Sequence, residues 1–134
     1  MEELQGGRDG QVYRSGDKVY RPSRFWSQSI HKLFAHLKSE QFDSAPESFG
    51  FDRNSNEILF YVSGDVYNYL LVGAISTTKA SCSAAALWRQ YHDATVSFVQ
   101  NEQCNDLRWL LPTREPQEVI SYGDYAPYNV ALNR

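Results

Sequence analysis

The residues best suited to chemistry lie in the segment Tyr122-Gly123-Asp124-Tyr125-Ala126-Pro127-Tyr128-Asn129-Val130. A carboxylic acid follows a glycine, and a carboxamide comes five residues later in a stretch stiffened by Pro127. A carboxylate can orient or deprotonate a hydroxyl, and a neutral amide oxygen can ligate a hard cation such as Mg²⁺. Phosphoryl transfer needs both groups, one at the acceptor hydroxyl and one near the triphosphate. The same residues also suit a plainer role, with Gly123-Asp124 as a turn and Asn129 as a loop cap. The spacing leaves both open.

Metal chemistry through His or Cys finds no support. Cys82 and Cys104 are 22 positions apart, without a Cys-x-x-Cys pair or a His at ligand spacing. Two ordinary thiols in a reducing compartment are expected, with a single disulfide as the alternative. His31 and His36, five apart, diverge by roughly 140° on a helix of about 3.6 residues per turn.

Several elements must position the loop. Gln11 to Arg14 and Lys18 to Arg21 read as a hairpin around Ser15-Gly16-Asp17, closed by Pro22, with the glycine-rich stretch Gly6-Gly7-Arg8-Asp9-Gly10 at its entrance. Ile30, Leu33, Phe34 and Leu37 form the stripe of an amphipathic helix, with Ser27 or Ser29 as its cap, and Phe42 to Pro46 ends it. Strands over Ser48 to Phe51 and Glu57 to Val62 flank a turn over Asp52 to Asn56. This β-β-α-β-β order predicts an antiparallel sheet with a helix on one face. A long helix is expected from Lys79 to Gln100, then an irregular stretch, then a short strand over Val119 to Tyr122 leading into Gly123-Asp124. On the strand containing Val19 and Arg21, alternation puts those two side chains on the same face.

Composition sets the outer limits. A chain of 134 residues is one ordinary domain in size, and 42% hydrophobic residues against 22% charged ones make it globular. A net charge of −3 speaks against nucleic acid as a partner. No run approaches the ~18 apolar residues of a membrane span, and Met1-Glu2-Glu3-Leu4 does not open a signal peptide, so a cytoplasmic protein off the membrane is expected.

Taken together, these segments resemble the aminoglycoside phosphotransferase family of the protein-kinase-like superfamily, whose catalytic loop reads His-Gly-Asp, four residues, then Asn. The likeness covers essentially the whole chain, and Ala126-Pro127-Tyr128-Asn129 is close to the family's commonest wording. It implies an α+β fold: a kinase-like N-terminal lobe of antiparallel sheet plus helix over residues 1–64, and the beginning of a mainly helical C-terminal lobe over 65–134. It implies ATP and Mg²⁺ as cofactors, a small-molecule hydroxyl as acceptor, Asp124 as the catalytic base and Asn129 as the metal ligand. Gly6 and Gly7 would belong to a nucleotide-covering loop. Val19 would lie against adenine, and Arg21 would meet the phosphates where many relatives carry Lys. Phe60, Tyr61 and Val62 would form a hinge cradling adenine through backbone groups, and His92 with Asp93 would brace the catalytic loop.

The resemblance also defines departures. The first helix has no acidic residue between Ser27 and Ser39 to hold the phosphate-binding cation; His31 is the nearest polar candidate on its inner side, but a surface position is expected for it. Tyr122 replaces the His before Gly-Asp, which bears on the rigidity of the loop. The family's second metal-binding Asp falls a dozen or more residues beyond the Asn, whereas Arg134 comes five after Asn129. The chain is therefore expected to be truncated, weakly active or inactive alone, and prone to self-association through a bare apolar stripe on the long helix and on the Val119 strand. The alternative is a non-catalytic nucleotide-binding module.

Overall fold

A computed structural model of the chain describes residues 1–4, 11–66, 72–101, 105–122 and 131. The described elements are α+β: five short antiparallel strands in one sheet and two α-helices. Strands β1 (Glu2–Glu3), β2 (Tyr13–Ser15) and β3 (Lys18–Pro22) are followed by helix α1 (Ser27–Ser39), then by β4 (Ser48–Phe51) and β5 (Asn56–Phe60). A 3₁₀ turn (Gly73–Ser76) precedes helix α2 (Thr78–Gln100). The order across the sheet is β1-β2-β3-β5-β4. Strand β1 pairs with β2.

Local chemistry explains the turns. Gly16 takes a φ of 63° at the first central position of the β2–β3 turn, a conformation only glycine adopts without strain. Between β4 and β5, Asp52 Oδ1 accepts the backbone N–H groups of Asn54 (2.8 Å) and Asn56 (2.9 Å), closing an Asx turn. Those bonds, with one from the Asn56 side chain as the largest contributor, hold the Asp52 carboxyl below the usual carboxylate range. Pro22 sits at the last position of β3, opposite Asn56, where its lack of an N–H ends the pairing.

Neither Ser27 nor Ser29 caps α1. The Ser27 hydroxyl accepts the Arg24 N–H (2.8 Å) and the Ser29 hydroxyl donates to the Arg108 carbonyl (2.6 Å), while Trp26 occupies the capping position without a side-chain bond. The helix ends in a Schellman motif: Phe42 N–H bonds Leu37 O, Gln41 N–H bonds Lys38 O, and Gln41 itself adopts a φ of 62°. Helix α2 begins one residue earlier than Lys79 and is capped by Thr77, whose Oγ1 accepts the Ala80 N–H at 3.1 Å.

The two helices bury a common cluster of Leu33, Leu37, Tyr91 and Phe98, flanked by Phe34, Phe42, Trp109 and Ile120. His36, on the same buried side, places Nε2 3.0 Å from the Ala94 carbonyl and 2.9 Å from Ser97 Oγ, tying α1 to α2. Only the C-terminal half of α2 is buried, at Tyr91, Thr95 and Phe98, and Trp88 in its middle stays 42% exposed. The expected strand over Val119 to Tyr122 is not one: the Ile120 N–H donates to Thr95 Oγ1 (3.0 Å) and not to a sheet ladder. Among the described residues, no helix is long and apolar enough to cross a membrane. Cys82 is an exposed free thiol, and Cys104 lies outside the described residues.

Candidate functional site

The β3–β5 register decides which side chains meet. Val19 lies opposite Leu59 and Arg21 opposite Glu57, and on the other side Val19 faces Arg14 of β2. Directly paired residues share a face of the sheet, so Arg14, Val19, Arg21, Glu57 and Leu59 line one surface. Helix α1 covers part of it. His31 reaches down from α1, its Nε2 2.9 Å from Glu57 Oε2, and its ring stacks on Phe51 of β4 with centroids 4.5 Å apart. At the far end the Arg14 guanidinium lies 3.6 Å above the Tyr61 ring. The result is a strip with an apolar middle, Val19 beside Leu59, and a guanidinium at each end.

Glu57 organises one of those ends. It is only 4% exposed, and a carboxylate withdrawn from water must be paired to persist as an anion. Arg21 Nε donates to one carboxylate oxygen, and His31 engages the other. Arg21 has five N–H donors in all, of which Nε supplies one. Its side chain is 45% exposed, so an anion in solvent can reach it. His31 is not a surface residue, its side chain being 10% exposed.

The carboxylate that pairs with Arg21 lies on β5 and not on α1. The signal was present: Glu57 stands two residues before Leu59 in a strand, hence on the same inward face, where an unpaired charge is costly.

Phe60, Tyr61 and Val62, expected to form a hinge, are placed as follows. The Phe60 N–H donates to the Glu47 carbonyl (2.8 Å) and the Tyr61 N–H to the Asp17 carbonyl (2.7 Å). Both donors are thus engaged by carbonyls that flank the strands. The Phe60 ring is 42% exposed, and Val62, past the end of β5, is 46% exposed. Tyr61 enters the site through its ring instead, beneath Arg14.

Gly6, Gly7, Asp124 and Asn129 lie outside the described residues. The approach to Asp124 is described as far as Tyr122, and it is docked on α2. Thr95, fully buried, accepts the Ile120 N–H, and the Tyr122 ring meets the Tyr91 ring edge-on with centroids 5.9 Å apart. Burial pushes the Tyr91 phenol well above its ordinary pKa, so it stays neutral.

His92 packs against the Trp88 and Tyr91 rings, at centroid distances of 5.2 and 5.5 Å. Its Nε2 is buried without a hydrogen bond among the described residues. Desolvation lowers its pKa, opposed by Asp93 and assisted by Arg89. Asp93 forms an exposed ion pair with Arg89 one turn earlier (2.9 Å).

A separate open hollow of about 500 Å³ lies beside the start of α1, lined by Ser23, Phe25, Asp52 and Arg108 among others. Three of its polar side chains have local partners. Ser23 Oγ donates to the Ser55 carbonyl, Asp52 closes its turn, and the Arg108 guanidinium lies over Phe25.

No protein-family model, curated protein or solved structure matches the chain.

Proposed function

We propose that the chain is an ATP-dependent phosphotransferase of the aminoglycoside and choline kinase type, with a kinase-like N-terminal lobe, acting on a hydroxyl of a small molecule. One observation supports this reading above the rest. Arg21, backed by a buried carboxylate, shares a sheet face with the apolar pair Val19 and Leu59. A nucleotide needs an apolar contact for the base and a cation for the phosphates, and Val19, with the buried Leu59 beside it, and Arg21 two residues on are candidates for the two.

In this reading adenine lies against Val19, which the buried Leu59 backs, and Arg21 contacts the phosphates. Asn129 would hold Mg²⁺, which supplies charge neutralisation at the triphosphate. Asp124 accepts the proton of the acceptor hydroxyl as its oxygen bonds to the γ-phosphorus. The bond from that phosphorus to the bridging β–γ oxygen breaks, and ADP leaves. The docking of Ile120 and Tyr122 on α2 supports a fixed position for the start of the loop.

The test is release or transfer of labelled γ-phosphate by the whole chain with Mg²⁺. Replacing a positioned base is typically worth roughly 10²–10⁴-fold, so Asp124→Ala should fall by that factor. Equal turnover by the two proteins would remove Asp124 from the mechanism.

A non-catalytic nucleotide-binding module is the second reading. It is favoured by the described face being built from residues between Arg14 and Tyr61. Thermal stabilisation by ATP without turnover would support it.

A further inference from the structure

We infer that Glu57 is the positioning residue for the phosphate-binding cation, so that Arg21 is oriented from within the sheet and not from the helix above it. The inference rests on the nucleotide reading of this face.

Three observations carry it. Arg21 and Glu57 are direct partners in the β3–β5 ladder, so their backbones are fixed relative to each other by sheet hydrogen bonds. The Glu57 carboxylate is buried, and both of its oxygens are engaged, one by Arg21 Nε and one by His31 Nε2. Helix α1 carries no carboxylate anywhere between Ser27 and Ser39, so no acid on it can take this role.

The geometry divides the labour. An arginine held through Nε has χ angles restricted by that bond, while its outward nitrogens remain directed at an incoming anion. Less side-chain entropy is then lost when phosphate binds. His31 occupies the second oxygen and stacks on Phe51, which keeps Glu57 from rotating away from Arg21. In this arrangement α1 contributes through an imidazole that steadies the acid, and a small displacement of the helix leaves the cation paired.

A double-mutant cycle on the whole chain tests this, reading the affinity for a fluorescent ATP analogue with Mg²⁺ alongside the melting temperature. The variants are Arg21→Ala, Glu57→Gln, Glu57→Asp and the Arg21→Ala/Glu57→Gln double. Glu57→Gln should weaken binding by about tenfold, a size ordinary for coupled contacting residues, and should cost little more once Arg21 is already alanine. Glu57→Asp, which keeps the charge on a shorter arm, should recover part of the loss and serves as the folded control should the glutamine variant melt.

Three results would overturn the inference. If Arg21→Ala weakens binding and Glu57→Gln does not, the nucleotide face stands and the positioning role falls. If Glu57→Gln weakens binding equally in the Arg21→Ala background, Glu57 acts through general packing. If the wild-type chain does not bind the analogue at all, the nucleotide reading fails and takes the inference with it.

Discussion

Thr95 offers the sharpest probe of how the loop preceding Asp124 is held. Its side chain is 0% exposed, and its Oγ1 both donates to the His92 carbonyl (2.8 Å) and accepts the Ile120 N–H (3.0 Å). Thr95→Val keeps the shape and removes the acceptor. The His92 carbonyl retains its place in the helix ladder, but the Ile120 N–H is left half-buried without a partner, at a cost of about 1–3 kcal/mol. The added methyl returns about 0.8 kcal/mol by burial. A net loss of about 0.2–2 kcal/mol follows, and for a domain of this length each kcal/mol corresponds to about 3–5 °C in melting temperature.

The loss should be local as well as global. Amide exchange at Ile120 should accelerate about tenfold, the factor that corresponds to about 1.4 kcal/mol, while the amides of β3 and β5 change far less. Thr95→Ser, which keeps the hydroxyl, should preserve the slow exchange. Unchanged Ile120 exchange and an unchanged melting temperature in Thr95→Val would refute the docking argument.

Two further outcomes follow from the same physics. Gln41 holds a left-handed φ of 62° at the end of α1, so Gln41→Gly should stabilise the chain by about 0.5–1 kcal/mol, read from a denaturant midpoint at constant slope. The desolvated His92 imidazole has a folded pKa below its ordinary 6.5, so protons favour the unfolded chain. Its share of the stability is complete above 6.5 and lost as the pH falls below that toward the lowered folded value. Melting temperatures at about pH 7.5 and 5.5 should therefore differ more in the wild type than in His92→Phe.

What could be read from the residues was whatever depends on local pattern. The hairpin around Gly16, the stripe Ile30-Leu33-Phe34-Leu37, the turn at Asp52 and the long helix through Phe98 each follow from periodicity or from one residue's backbone preference, and each is present. The errors fell where a partner distant in sequence decides. Ser27 and Ser29 are good caps in isolation, but Ser29 is claimed by Arg108, 79 positions away. Val119 to Tyr122 has strand composition, yet Thr95 takes the Ile120 N–H and no ladder forms. Glu57 looked like the polar start of a strand until the register set it against Arg21, 36 positions away. The Tyr61 N–H, one of the backbone groups expected to cradle adenine, is likewise used by a distant partner, the Asp17 carbonyl.

The most direct test of the central claim is residue-resolved NMR of the whole chain during titration with Mg²⁺-ATP. The account predicts saturable shifts at Val19, Arg21, Glu57, Leu59 and Tyr61, with the side-chain Nε–H signal of Arg21 among them. Shifts confined to the hollow around Phe25 and Arg108, or no shifts at all at millimolar nucleotide, would contradict it.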